Sequence, residues 1–288
     1  MHPPAHLFDR SIKKIGTQMS VSFDLTDKVA VVTGAGKGIG AAVTRELLDA
    51  GARVVAGSRR ASSDLAGLAS DKVLATVDVD LSTAAGPGRV VAAAIERFGG
   101  LDVLVNNMGA LAGGGPRLGG FLSVSDADWM SSFELNLLSA VRATRVAVPV
   151  LIERGGGAIV NVGSVNALLP DPGVVDYSAT KAALTNLGKS LSAEFASQGI
   201  RVNTVSPGPV ATPLWTAPGA LGEQLATAMG TDMDSAMSAM ADGLGGIRLG
   251  RFGTAEEIAH LVVFLASPAA SWMTGSDVVI DGGLVKTL

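Results

Sequence analysis

Short apolar, β-branched runs alternate along this chain with longer stretches of helical periodicity. Residues 28–33 read Lys-Val-Ala-Val-Val-Thr, the continuous pattern of a strand buried on both faces. A glycine-rich turn follows, then an apolar-periodic helix to about Asp49. Further strands are predicted over 53–56, 73–77, 102–105, 158–162, 201–205 and 277–280. Helical patterns fill most of the gaps, notably 126–153, 176–198 and 255–266. Alternation at this spacing predicts right-handed βαβ units. The expected fold class is therefore α/β, a single doubly wound parallel sheet of about seven strands with helices on both faces. Glycine- and proline-rich patches at 113–120 and 207–219 read as loops over the sheet's carboxyl edge, where such sheets bind ligands. No linker divides the chain. Residues 25–288 read as one domain and 1–24 as a disordered leader outside it, with Met19 a candidate natural start.

Composition narrows the functions. At 288 residues the chain is long enough to bury a substantial core. It has no cysteine, which excludes disulfides, a thiolate nucleophile and cysteine-ligated metal. That composition suits a reducing cytoplasm, the expected location. His2, His6 and His260 form no metal-ligand spacing, so no metal is expected. Net charge is −4 with no basic stripe, so neither nucleic acid nor an anionic membrane surface is an expected partner. The longest apolar stretches, such as 258–266, read as too short to span a bilayer. Residues 1–20 lack the apolar core of a secretory signal.

The turn at 33–40 reads Thr-Gly-Ala-Gly-Lys-Gly-Ile-Gly, directly between a strand and a helix. Gly34 suits a positive-φ turn, Gly38 lets backbone approach a pyrophosphate, and Gly40 allows close helix–strand packing. Gly36, Lys37 and Ile39 complete a phosphate cradle at a helix N-terminus. The second strand ends at Ser58, Arg59 and Arg60 with no acid, where an acid would bind a ribose 2′-hydroxyl and a cation a 2′-phosphate. NADP(H) is therefore expected over NAD(H), with a solvated basic turn as the alternative reading.

Tyr177 is the only tyrosine, and Lys181 follows one helical turn later. An ammonium on that face favours the phenolate and lowers a phenol's pKa. Tyr177 can then exchange a proton with a carbonyl or alcohol oxygen. Ser164, thirteen residues earlier at a predicted strand end, can hydrogen-bond the same oxygen where charge develops.

The pattern Thr-Gly-x-x-x-Gly-x-Gly, followed by Ser164 and Tyr177-x-x-x-Lys181, resembles the short-chain dehydrogenase/reductase family. The resemblance runs from about Lys28 to Gly283, with likeness to 3-oxoacyl-carrier-protein-reductase and carbonyl-reductase members. It implies a Rossmann-type fold, hydride transfer between nicotinamide and a ketone, 3-oxoacyl group or secondary alcohol, and a homotetramer or homodimer. It also implies roles. Tyr177 is the acid/base, Lys181 the tuner and ribose clamp, Ser164 the substrate positioner and Asn136 a relay holding a water. Asp78 and Val79 match the adenine contacts, and Asn107 the Asn-Asn-Ala-Gly strand end. Pro207, Gly208, Val210 and Thr212 match the nicotinamide turn.

Three departures bear on substrate. Met108 stands where the family has alanine, the loop at 110–125 has extra glycines, and the segment at 209–250 is long. Met108, Ser164, Leu214 and Trp215 are the expected substrate contacts. Met229, Met233, Met237 and Met240 recur at helical spacing on one stripe. That stripe reads either as fixed packing or as a mobile lid over an apolar pocket, hinged at Gly222, Gly230, Gly243, Gly245 and Gly246. Two other functions remain open at this point: an epimerase or dehydratase using transient oxidation, and a non-catalytic cofactor-sensing or scaffolding protein on the same fold.

Overall fold

The computed structural model describes residues 23–60, 65, 67, 68, 70, 72–111, 113, 115, 116, 119–243 and 246–286. Residues 1–22, which hold nearly all of the expected leader, lie outside the described residues, as does the expected hinge Gly245. Seven strands form one sheet: β1 (Val29–Thr33), β2 (Arg53–Ser58), β3 (Leu74–Asp78), β4 (Val103–Asn106), β5 (Gly157–Val162), β6 (Ile200–Pro207) and β7 (Asp277–Ile280). Every neighbouring pair is parallel, in the order β3-β2-β1-β4-β5-β6-β7. All seven expected strands are present, with ends moved by one or two residues.

Two helical layers explain the continuously apolar strands. One face is covered by α1 (Gly38–Asp49) and the C-terminal α9 (Ala255–Ala266). The other is covered by α2 (Gly86–Phe98), α4 (Ser139–Glu153) and α5 (Val175–Phe195). β1 is buried at every residue because it lies in the middle of both layers. Phe23 stacks edge-on to Phe264 at 6.0 Å and Leu25 is buried, so the folded part starts at least as early as Phe23.

Two expectations need correction. The helix read over 126–153 is α3 (Asp126–Phe133), a π-helical turn (Glu134–Leu138) and α4 in succession. Taken together, Asp126–Glu153 is long and apolar enough to cross a membrane by length and composition, contrary to the sequence reading. Its Ala143, Ala147 and Leu151 instead pack on the sheet. The long segment after β6 forms α6 (Pro213–Thr216), α7 (Leu221–Met229) and α8 (Met233–Gly243). Gly230, at φ 65°, ends α7 in the left-handed conformation that glycine favours. Met229 therefore sits on a different helix from Met233, Met237 and Met240, and the four do not form one stripe. Gly222 is a packing contact rather than a hinge, since a Cβ there would meet Met233 at 3.0 Å and the Trp215 carbonyl at 2.5 Å.

Asp102, just before β4, ties the sheet's amino edge together. Its carboxylate accepts from the Val29 N–H at 2.9 Å and from Arg154 Nη2 at 2.8 Å, with Lys28 Nζ 3.5 Å away. Burial pushes its pKa up, but the Arg154 and Val29 hydrogen bonds and the two positive charges outweigh that and hold it below the usual value. A depressed folded pKa means stability that is present above the unfolded carboxylate pKa and lost as pH falls through the folded one. Asp102→Asn should cost about 1–3 kcal/mol at neutral pH. It should also flatten the fall in stability below pH 3.8, measured by urea unfolding across that range.

Candidate active site

The sheet order reverses between β1 and β4, opening a crevice at their carboxyl ends. Thr33, the last residue of β1, closes its base. Its Oγ1 accepts from the Asn107 and Met108 N–H groups, both at 3.1 Å, and donates to the Val105 carbonyl at 3.3 Å. Asn107 returns the contact, its Nδ2 donating to the Thr33 and Gly34 carbonyls at 3.0 Å each.

Above this joint the glycine turn leads into α1. Gly34 and Gly38 have φ of 69° and 56°. A Cβ on Gly40 would lie 2.3 Å from the Gly34 carbonyl oxygen and 2.4 Å from Asn107 Nδ2, so only glycine fits there. Lys37, exposed and extended, precedes the helix, and no side chain caps its N-terminus. The first-turn N–H groups are thus presented to the crevice, which fits a dinucleotide pyrophosphate. Gly36 faces Ser58, and Gly38 faces Thr212, each about a Cβ's width away. Ile39 packs on the core below.

At the tip of β2, Ser58 Oγ donates to the Arg60 carbonyl at 2.6 Å, and Arg59 and Arg60 are exposed. Ser58 pairs in register with Asp78, which is also exposed, and Val79 is buried beside them with its N–H on the Ser58 carbonyl. Asp80 is the carboxylate near Arg59, but it is engaged by the Ser82 N–H and hydroxyl, whose hydrogen bonds hold its pKa down.

The other side of the crevice holds the reactive group. Ser164 follows β5 and Tyr177 stands on the first turn of α5, where the Ser164 hydroxyl pulls the phenol pKa down. Lys181 is 2% exposed; its Nζ lies 5.5 Å from the Tyr177 ring centre and donates to the Val162 carbonyl at 2.8 Å. Burial pushes the Lys181 pKa down to about 8. Burial also pushes the Tyr177 phenol up, against the pull of the Ser164 hydroxyl. In the protein alone, desolvation therefore outweighs the lowering expected from Lys181.

Asn136 sits in the π turn, fully buried. Its Oδ1 accepts from the Ala110 N–H at 2.9 Å, and its Nδ2 donates to the Ala110 and Ser132 carbonyls at 3.0 and 3.1 Å. The carboxamide thus clamps the loop after β4. Gly109 leaves the space into which Asn136 Oδ1 and Lys181 Nζ both reach, since a Cβ there would lie 3.0 and 2.9 Å from them.

Beyond β6, Gly208 abuts Asp281, and buried Val210 bridges to Gly253. Trp215 stacks edge-on to Phe252 at 5.6 Å, while Leu214 is 41% exposed. Met108 packs against the core cluster on the α2 and α4 side. Contacts thus join Gly34, Gly38, Gly40, Asn107 and Thr212 on one side and Asn136, Lys181 and Tyr177 on the other, while Met108 packs on the core. Sequence reasoning had not singled out Thr33, Ser132 or Asp176 for a role. Asp176 is buried and accepts from Ser132 Oγ at 2.6 Å.

A family model described as enoyl-(acyl carrier protein) reductase matches residues 34–285. A 3-oxoacyl-[acyl-carrier-protein] reductase of Thermotoga maritima is 34% identical over 91% of this chain and 99% of its own. A human dehydrogenase/reductase, SDR family member 4, is 33% identical over 96% of this chain and 95% of its own. The crystal structure of L-sorbose reductase from Gluconobacter frateurii, complexed with NADPH and L-sorbose, superposes with a TM-score of 0.83. It is 34% identical, covering 93% of this chain and all of that one. The chain belongs to the short-chain dehydrogenase/reductase family. It is an oxidoreductase that uses a nicotinamide cofactor on a carbonyl or alcohol group.

Lys181 generates a prediction with a definite sign. Between pH 8 and 10.5 the unfolded chain binds a proton at this lysine that the folded chain has released. This group therefore makes stability rise with pH across that window. Lys181→Met removes the rise. Denaturant unfolding at both ends of the window should show the stability difference shifting toward the parent as pH climbs.

Proposed function

We propose that this enzyme uses NADP(H) in preference to NAD(H) and acts on an apolar ketone or 3-oxoacyl-type carbonyl, with Tyr177 as its acid/base. The observation that carries this reading is buried Lys181, its Nζ 5.5 Å from the Tyr177 ring centre and bonded to the Val162 carbonyl two residues before Ser164. A bound nicotinamide would supply or take the hydride. Tyr177 gives its phenolic proton to the carbonyl oxygen, or takes one from the alcohol. Ser164 hydrogen-bonds that oxygen and stabilises its developing charge. Lys181, when protonated, favours the phenolate left behind. Asn136 acts by holding Ala110, and with it the loop that bounds the pocket.

The cofactor would lie across the switch point. The backbone of Gly34, Gly36, Lys37, Gly38 and Ile39 would hold the pyrophosphate. Asp78 and Val79 would hold the adenine, and Asn107, Tyr177 and Lys181 the nicotinamide ribose. Pro207, Gly208, Val210 and Thr212 would hold the nicotinamide ring. The preference for a 2′-phosphate is supported by the absence of an acid at the tip of β2 and by exposed Lys37, Arg59 and Arg60 around Ser58. The G. frateurii relative, solved with NADPH, is in keeping with it.

The apolar reading rests on the side chains packed beside Ser164. Val165, next to Ser164, packs with Ala241, Ile247, Leu284 and Phe252. Leu221 of α7 comes within van der Waals reach of the space beside Gly115 on the opposite loop. The segment from α6 to α8, which carries Leu214 and Trp215, therefore comes beside the loop after β4. We also read the enzyme as a homodimer or homotetramer, because the edge strand β7 and the 99% exposed Trp272 leave apolar surface uncovered.

Tyr177→Phe should leave NADPH binding nearly intact and cut turnover of a hydrophobic ketone by about 100-fold or more. Nicotinamide absorbance reads the rate, and near-parental turnover would overturn the acid/base assignment. Ser58→Asp with Arg59→Ala should shift the ratio of kcat/KM for the two cofactors toward NADH. A parent enzyme that already prefers NADH would show the basic cluster to be merely solvated.

A further inference from the structure

Tyr177 stands in the first turn of α5, and the residue before that helix, Val174, gives it no side-chain cap. Helix ends fray unless something holds them, and a fraying turn would let the phenol swing. The residue beside Tyr177 supplies a tie. Asp176 is 2% exposed, and its Oδ2 accepts from the Ser132 hydroxyl of α3 at 2.6 Å. Ser132 is itself fully buried. A carboxylate in a first turn also meets the positive end of the helix, which favours its charge there.

The tie continues beyond Ser132. The Ser132 carbonyl accepts from Asn136 Nδ2 at 3.1 Å, one turn further along. The same carboxamide holds the Ala110 N–H and carbonyl at 2.9 and 3.0 Å. Asn136 Oδ1 and Lys181 Nζ both reach the space that Gly109 leaves open. Ser132 therefore joins two parts of the site. Its side chain holds the helix that carries Tyr177 and Lys181, and its backbone holds the Asn136 clamp on the loop after β4. Successive helix residues point about 100° apart. Anchoring Asp176 to α3 thus fixes the rotation of the turn, and with it the direction of Tyr177.

We propose that Asp176 is a positioning residue that, through its bond with Ser132, sets the rotation of the first turn of α5 and so aims the Tyr177 phenol at the reacting oxygen. The inference rests on the reading of Tyr177 as the acid/base. Asp176 acts through the helix and touches no reacting atom, so no bond is made or broken at it.

The test compares the parent with Ser132→Ala, Asp176→Ala, the double variant and Asp176→Asn, each in the full chain. Ser132→Ala removes the bond without changing any charge. Asp176→Asn keeps a carbonyl oxygen for the Ser132 hydroxyl to donate to. With NADPH and a hydrophobic ketone, Ser132→Ala and Asp176→Ala should each lower kcat by about 10-fold or more, the scale of a small misplacement of a reacting group. KM for NADPH should stay near the parent's. The double variant should be no slower than the slower single one, because all three lack the same bond. Asp176→Asn should recover most of the parent's kcat. In the free protein, amide hydrogen exchange across 175–181 should quicken in the first three variants and not in Asp176→Asn. A role in stability alone would lower the unfolding midpoint and leave kcat of the folded protein at its parental value, and that result would overturn the proposal. So would an Asp176→Asn enzyme as slow as Asp176→Ala, which would make the charge responsible rather than the bond. Single losses that multiply in the double variant would overturn it too. If Asp176→Ala fails to fold, Ser132→Ala and Asp176→Asn still decide. Tyr177→Phe turnover tests the underlying reading separately, since parental kcat in Ser132→Ala removes only the role of Asp176.

Discussion

The Thr33 hydroxyl holds together the two strand ends between which everything else is placed. β1 and β4 part company there because their following segments cross to opposite faces of the sheet. Without a bridge, the peptide groups of Asn107 and Met108 would be left unpaired at the floor of a crevice. One hydroxyl serves both and still reaches the Val105 carbonyl. The Asn107 carboxamide then fixes the Gly34 carbonyl, and that carbonyl lies where a Cβ on Gly40 would fall. The position of α1, and so of its uncapped N-terminus, follows from this contact. The phosphate cradle is thus built from the same bonds that close the sheet.

Across the crevice the constraint is dehydration rather than geometry. Lys181 and Tyr177 are each disfavoured in their charged forms by burial, the lysine moved down and the phenol up. Lys181, 2% exposed, is ready to respond to a new charge placed beside it, because little water is present to screen it. The hydrogen bond from Lys181 to the Val162 carbonyl keeps the lysine in place meanwhile. Rigid neighbours matter here. Asn136 spends its hydrogen bonds on backbone, holding the loop after β4 at a fixed distance from the helix that carries Tyr177.

Periodicity made the sheet legible. Strands such as β1 and β5 are buried on both faces, so their apolar runs, broken in β5 only by Asn161, mark themselves in the sequence. The phosphate turn and Tyr177-x-x-x-Lys181 were legible because their chemistry needs particular residues at fixed spacing. Helix interruptions were not. A π turn leaves the apolar pattern at 126–153 nearly intact, and Gly230 looks like any glycine until its φ is known. The direction of the Tyr177 shift was missed for a related reason. Sequence shows that Lys181 is close in the chain, but burial acts through the whole surrounding fold. Thr33 and Asp176 escaped notice because a threonine at a strand end and an aspartate in a first turn are commonplace, and only the partners they meet give them a task.

The π turn at Glu134–Leu138 has a bearing on how this chain tolerates length changes. A π turn amounts to one surplus residue wound into a helix. Removing any one residue there would give an ordinary helix of better hydrogen-bond geometry. It would also rotate everything on one side of the cut by about 100° relative to the other. Either α4 would turn Ala143 and Ala147 off the sheet, or Ser132 would swing away from Asp176. The irregularity therefore sets the phase between two helices with separate duties. A designer who smoothed it would gain local regularity and lose the alignment of the sheet-packing face with the site-facing one.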